Sequence, residues 1–300
     1  MSNLNSWQQR IGQQRDWIWR GWQVRYSYLH PPQPTSAPPL IFLHGFGASI
    51  EHWRHNIPVF GQTRSVYALD LLGFGASRKS NTRYTIDIWV EQIYEFWQTF
   101  IQQPVVLVGN SIGSLVCVAA AAAYPEMVQS IALSSLPDVT LRQAAIPKPL
   151  QPLVSGIEGL FGSRLLLSPL LSFLRRPQTI RRWAKLAYAE ETAVNEELVE
   201  ILSSPAYDEG AADTFQALFQ GIRQPHFAPS VIQILPQLQI PILLLWGRQD
   251  RMVPFALAER FIPLNPRLTF VEIDPAGHCP HDECPDRFNA ILQNWLQEND

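Results

Sequence analysis

Val105-Val106-Leu107-Val108-Gly109-Asn110-Ser111-Ile112-Gly113 is the stretch from which the fold follows. Its first four residues form an unbroken apolar run, the pattern of a parallel strand buried on both faces. Residues 115–124, rich in alanine, predict a buried helix. Between them a serine stands between glycines at the switch from strand to helix, which is the nucleophile-elbow pattern. So tight a turn strains the serine backbone, and glycines leave room for strand and helix to pass closely. The free N–H groups at the helix N-terminus then face whatever the serine attacks, which helps if an oxyanion forms there.

Moving outward, strands and helices alternate. On the N-terminal side, aromatics at alternate positions around Gly21 in residues 16–29 predict a hairpin. A proline-rich connector, residues 31–39, leads to a short buried strand at 40–43, which ends in His44-Gly45-Phe46-Gly47. Residues 51–60 predict one short helix. Residues 65–71 predict a strand that ends near Asp70 and is followed by Gly73-Phe74-Gly75-Ala76-Ser77. Over 84–101 the apolar residues recur at spacings of three and four, as in an amphipathic helix. Beyond the elbow come a strand at 131–133, strands at 242–246 and 268–273, and a closing helix at 286–296. Such alternation predicts an α/β fold with a mostly parallel central sheet and helices on both faces. In residues 137–225 the alternation stops. Prolines punctuate helical stretches at 181–189, 195–202 and 211–219, so this segment is expected to be a helical lid inserted into a core of residues 1–136 and 226–300.

Composition bounds the function. A net charge of −3 without long runs of one sign argues against a nucleic-acid partner. The longest apolar run is half of the roughly 20 residues that a membrane span needs. Residues 1–16 are polar and Gln-rich, so no signal peptide is expected. Cys117, Cys279 and Cys284 are odd in number, and reduced thiols in an intracellular compartment are expected. No HExxH or CxxC pair is present, so no metal site is expected.

Chemistry gathers at the carboxyl ends of parallel strands. His44, Asp70, Ser111, Asp250 and His278 all fall just past predicted strand ends. A serine hydroxyl needs a base to become a nucleophile, and that base needs a carboxylate to fix its tautomer. The order Ser111, Asp250, His278 supplies all three. Asp138 is the rival acid and His281 the rival base. Asp250 is preferred because it follows a clear strand, and His278 because it sits better at its strand end. His44 is expected to be a structural loop histidine, His52 and His55 packing groups, and Asp274 and Asp282 loop carboxylates.

These motifs, with Trp246-Gly247-Arg248-Gln249-Asp250 and Gly277-His278, resemble the α/β-hydrolase superfamily along nearly the whole chain. The resemblance implies Ser111 as nucleophile, Asp250 as acid and His278 as base. It also implies an oxyanion hole from the backbone N–H groups of Phe46 and Ile112, and no cofactor. A serine at 111 argues against the haloalkane dehalogenases and epoxide hydrolases of the superfamily, which carry aspartate there.

Two longer stretches are more particular. Asp274-Pro275-Ala276-Gly277-His278-Cys279-Pro280-His281-Asp282-Glu283, and the segment from Arg181-Arg182-Trp183 to Gly210-Ala211, resemble the pheophytinase and chlorophyll dephytylase family. That resemblance implies hydrolysis of the phytyl ester of chlorophyll or its derivatives. Ser114 departs from the second glycine that many relatives carry after the elbow. The lid is rich in leucine, at 160, 165, 166, 167, 170, 171 and 174, with Phe161 and Phe173, which suits a long apolar group. Each buried methylene contributes about 0.8 kcal/mol. Arg164, Arg175 and Arg176 flank this stretch, so a peripheral contact with anionic lipid is expected, at the thylakoid if the source is a phototroph. The alternatives are a carbon–carbon bond hydrolase of ring-cleavage products, which shares the Gly-Asn-Ser elbow, a general carboxylesterase, and a receptor that kept the fold.

Overall fold

A computed structural model describes residues 8–138, 172–224 and 226–299. Eight strands form one sheet: β1 (Gln13–Trp19), β2 (Trp22–Leu29), β3 (Leu40–Leu43), β4 (Val66–Leu69), β5 (Val105–Asn110), β6 (Val128–Ser134), β7 (Ile242–Gly247) and β8 (Leu268–Ile273). Their spatial order is β1-β2-β4-β3-β5-β6-β7-β8. The predicted hairpin is β1 and β2, and it joins the sheet antiparallel to β4; from β4 onward every pairing is parallel. This is the mostly parallel sheet that the alternation predicts, in the α/β-hydrolase architecture that the resemblance implies.

The central strands β3, β5 and β7 are buried at every position because both faces are covered. In β3, Ile41 and Leu43 point into one core with Trp89 and Phe96, while Leu40 and Phe42 point into the other with Trp53 and Phe288. Successive strand residues alternate between faces, so only a doubly covered sheet makes an unbroken run of this kind favourable. On the first face lie α2 (Ile86–Phe100) and α3 (Ile112–Ala123). The second face is covered by α1 (Ile57–Phe60) and the closing helix, α10 (Pro285–Asn299).

One predicted helix is two. Residues 51–60 divide into a 3-10 turn, Ile50–Trp53, and α1. Pro58 has no N–H to continue a helix through residue 54, so a new helix starts just before it. Asn56, at the break, turns its side chain inward to donate to the carbonyl of His281 (3.1 Å) and to Asn289 Oδ1 (2.7 Å).

Between β6 and β7 the described residues are helical: α4 (Pro177–Ala187), α5 (Glu196–Ser203), α6 (Ala211–Ile222) and the short α7 (Val231–Ile234). Pro177 opens α4 at a position that needs no N–H donor. Asn195 caps α5 by accepting from Leu198 N–H (2.9 Å), with Glu196 and Glu197 in the first turn. Leu160, Phe161, Arg164, Leu165, Leu166, Leu167, Leu170 and Leu171, to which the sequence assigns the apolar lid surface, lie outside the described residues. Between β7 and β8 runs α8 (Ala256–Phe261), and α9 (Pro280–Glu283) follows β8.

Candidate active site

Ser111 alone makes the turn between β5 and α3. Its φ of 53° and ψ of −115° lie outside the ordinary regions for a residue with a Cβ, a conformation that costs about 1–3 kcal/mol. The surroundings enforce it. Ser111 N–H donates to the Ser134 carbonyl (2.9 Å), and its own carbonyl accepts from Ser114 N–H (2.9 Å) and Leu115 N–H (3.2 Å). A Cβ on Gly109 would lie 2.5 Å from the Gly113 backbone, and one on Gly113 would collide with the Leu43 carbonyl. Ser114 is built in as well. Its hydroxyl lies 2.8 Å from the Gly109 carbonyl and 2.9 Å from the Ser134 carbonyl, and accepts from Ser134 N–H (3.1 Å). The serine thus ties β5, β6 and α3 together at the elbow, where a glycine could not.

β3 pairs with β5 so that Leu43 stands opposite Gly109, and residues 44–47 emerge beside the serine. A Cβ on Gly45 would be 3.4 Å from Ser111 Cβ. His44 shapes this loop. Its Nε2 accepts from Leu71 N–H (3.1 Å), which leaves the proton on Nδ1 to donate to the Gly45 carbonyl (2.7 Å). Burial pushes its pKa down to about 4, so it is a neutral brace. Among the described residues no hydrogen bond uses the backbone N–H of Phe46 or Ile112. Asp70 is an anchor too. It is buried, and its two oxygens accept from Ile50 N–H (2.8 Å) and Ala76 N–H (2.7 Å). Burial, then the nearby Glu51, pushes its carboxyl up to about 8.

Asp250 lies three residues past β7. Its Oδ1 accepts from Met252 N–H and Val253 N–H, both at 2.8 Å, and its Oδ2 lies 2.8 Å from His278 Nδ1. With Oδ1 held by two donors, Oδ2 accepts the hydrogen bond from Nδ1–H, which leaves Nε2 as an acceptor. Asn110, next to Ser111, donates through Nδ2 to the His278 carbonyl (3.0 Å), which brings the histidine loop to the elbow. Among the described residues the Ser111 hydroxyl makes no hydrogen bond to His278; in a site without substrate that bond is often long. Asp250, and not Asp138, holds Nδ1 of His278. Asp138 is buried just past β6. His281 is fully buried with its ring 4.1 Å from that of Trp53, and burial holds its pKa well below the ordinary value.

Asp282 is not the loop carboxylate expected from the sequence. Its side chain is 1% exposed and lies 2.6 Å from Arg54 Nη1, itself 1% exposed. Arg54 Nε also meets Glu197 Oε1 of α5 (2.7 Å), which Arg10 pairs from outside (2.6 Å). Tyr188, just after α4, donates its hydroxyl proton to Asp282 Oδ2 (2.6 Å) and accepts from His52 Nε2 (2.9 Å). His52 and Asp282 therefore pack at the base of the His278 loop, where burial lowers the His52 pKa to about 4 against the pull of Asp282. Sequence reasoning missed Tyr188, Glu197 and Arg54. The only signal was that 274–283 and 181–211 are the two most particular stretches, and they turn out to be in contact.

The fold and the elbow define the class: a doubly covered, mostly parallel sheet with a strained serine at a strand-to-helix turn. The sequence profile of the alpha/beta hydrolase fold matches residues 38–285, and the chain belongs to the α/β-hydrolase family. Among its relatives, pheophytinase, chloroplastic, of Arabidopsis thaliana is 23% identical, over 87% of this chain and 61% of its own length. The 2-hydroxymuconate semialdehyde hydrolase of Pseudomonas sp. strain CF600 is 26% identical, over 87% of this chain and 88% of its own. A solved structure of a membrane phospholipase A, described as a bacterial virulence factor, superposes with a TM-score of 0.77 at 25% identity, covering 97% of this chain and 88% of that one.

Proposed function

We propose that this chain is a serine esterase that hydrolyses a bulky hydrophobic ester, the phytyl ester of chlorophyll or its derivatives. Ser111 Oγ attacks the ester carbonyl while His278 Nε2 takes its proton. The oxyanion is held by the N–H groups of Phe46 and Ile112, a type of contact whose loss costs about 10²–10³ in rate. The proton passes to the leaving phytol oxygen, and water then frees the chlorophyllide-type acid from Ser111 in the reverse sense. Asp250 keeps His278 in the required tautomer and stabilises its imidazolium. No metal or cofactor enters these steps.

The observation that carries the substrate class is that the two dephytylase-like stretches meet at the proposed base: His278 N–H donates to the Ala187 carbonyl (2.6 Å). An aromatic wall beside the proposed oxyanion loop suits an apolar substrate, since Phe46 meets Phe74 (5.4 Å) and Phe215 of α6 (6.3 Å). The helical segment between β6 and β7 acts in this reading as the lid, residues 137–225, over a core of 1–136 and 226–300. Among the described residues no helix is long and apolar enough to cross a membrane. The lid edge with Arg175, Arg176 and the exposed Phe173, Trp183 and Leu186 is proposed to rest on anionic lipid. Flotation with anionic vesicles tests this, and no loss of co-migration in Arg175→Ala/Arg176→Ala refutes it.

The similarity to 2-hydroxymuconate semialdehyde hydrolase supports a second reading, carbon–carbon bond hydrolysis of a ring-cleavage product. Incubation with chlorophyll, pheophytin and 2-hydroxymuconate semialdehyde separates the two. Phytol release that Ser111→Ala abolishes supports the esterase. Turnover of the semialdehyde alone supports the rival.

A further inference from the structure

We propose that Tyr188 and Glu283 are positioning residues that latch the helical segment between β6 and β7 onto the loop of His278, so that this segment sets where the imidazole stands. The inference rests on the reading of His278 as the base. The contact is polar and local to the reacting residue. The N–H of His278 itself donates to the Ala187 carbonyl at the end of α4 (2.6 Å). A Cβ on Gly277 would collide with that same carbonyl, so the loop and α4 touch backbone to backbone. On one side Glu283 grips both partners: Oε2 accepts from Gly277 N–H and Oε1 from Glu190 N–H, each at 2.6 Å. On the other side the Tyr188 hydroxyl gives its proton to Asp282 Oδ2 (2.6 Å) and receives one from His52 Nε2 (2.9 Å). Arg54 then fixes Asp282 from below (2.6 Å).

The consequence is geometric. Asp250 sets the tautomer and tilt of the ring from Nδ1, while the latch sets the height of the backbone that carries it. A displacement of about 1 Å at a reacting group costs up to about 10² in rate. Tyr188→Phe removes both hydroxyl bonds and keeps the ring. Glu283→Gln leaves one acceptor oxygen for two backbone N–H groups. The polar atoms of both residues are committed to protein partners, so the loss is expected on kcat and on nucleophile reactivity, with KM unchanged.

The test measures kcat, KM and the second-order rate of fluorophosphonate labelling in the full chain, for both variants and for Leu292→Ala. That control cuts a cavity in the core beneath α10, at a side chain that makes none of the latch contacts. The expected result is a fall of about 10- to 100-fold in kcat and in labelling for each latch variant, with KM within about twofold and Leu292→Ala close to wild type. Should Tyr188→Phe fail to fold, Glu283→Gln, which is only half-buried, carries the test alone. Latch variants that label and turn over like Leu292→Ala, in a wild type that labels normally, overturn the latch and leave the base in place. A wild type that does not label overturns the reading of the site and the latch with it.

Discussion

Replacing Asp250 by asparagine changes one atom and tests the proposed acid directly. Oδ1 of Asp250 is committed to two backbone donors, Met252 N–H and Val253 N–H at 2.8 Å. An asparagine therefore keeps its carbonyl oxygen there, because turning its amide toward those donors would leave both unsatisfied. Its NH2 then faces His278 Nδ1 across the 2.8 Å contact. A donor against Nδ1 forces the imidazole to the other tautomer, with the proton on Nε2, and that nitrogen can no longer accept the serine proton. The same exchange in a trypsin-like protease costs about 10⁴ in kcat, and a loss of that size is expected here, about 5.5 kcal/mol of barrier. The assay is steady-state release of a chromogenic ester alcohol and of phytol, with thermal melting to show that the fold is intact. The variant should melt near wild type, because the geometry of both loops is preserved. Activity within tenfold of wild type in Asp250→Asn, together with a crippled Asp138→Asn, would refute the assignment.

Three further outcomes follow from the same geometry. Ser111→Gly should abolish labelling by fluorophosphonates and yet stabilise the fold by about 1 kcal/mol, because glycine tolerates the positive φ; a lower melting temperature counts against strain at the elbow. Ser114→Ala removes the buried hydroxyl that lies on the Gly109 and Ser134 carbonyls and should destabilise by about 0.5–1.5 kcal/mol in urea titrations, with an unchanged midpoint contradicting the role given to it. Stability should fall on acidification. His44 and His52 have folded pKa values depressed to about 4 by burial, below the ordinary 6.5, so the unfolded chain binds more protons between those values. Each contribution is whole above pH 6.5 and is lost progressively as the pH falls toward 4, by about 2 kcal/mol each at pH 5. Asp70, raised to about 8, acts in the opposite sense over the same interval, so the measurement is made in an Asp70→Asn background, where urea midpoints that do not move between pH 7 and pH 5 would show these histidines to be charged or exposed.

The parts of the fold that sequence reveals are those where burial is periodic. The runs at β3, β5 and β7 are apolar at every position because helices cover both faces, and α2 carries its apolar residues at spacings of three and four because one face is buried. The elbow is legible because close packing of Gly109 against Gly113 permits few residue types. Periodicity says which face is buried and not what lies against it. It does not disclose that the hairpin joins the sheet through β4, or that Pro58 cuts the helix of residues 51–60 in two. Nor does it distinguish Asp282 from a solvated loop carboxylate. That distinction depends on Arg54, Tyr188 and Glu197, distant in the chain and chosen by tertiary contact alone.

The character of that contact bears on why the helices between β6 and β7 meet the sheet as they do. The apolar cluster beneath α4 and α5 is small, built on Ala184, Tyr188, Val194, Leu198, Val199 and Cys279. Apolar faces of this size tolerate sliding by fractions of a side chain, since burial depends on area and little on direction. Hydrogen bonds and ion pairs do not slide: the Arg54–Asp282 pair and the Tyr188 hydroxyl bonds are made in one register and lost in the next. The burial of two charges makes the pair a poor source of net stability, because desolvation consumes most of its attraction. It also makes misplacement expensive, since a shift of α4 and α5 would leave a buried charge unpaired. Apolar contact thus supplies adhesion and polar contact supplies register, and the register falls on the two residues flanking the Ala187–His278 bond. If this segment is the proposed lid, covering an apolar substrate and holding the proposed base, it can keep substrate and imidazole in one frame of reference. An apolar hinge remote from His278 would leave the two to move independently.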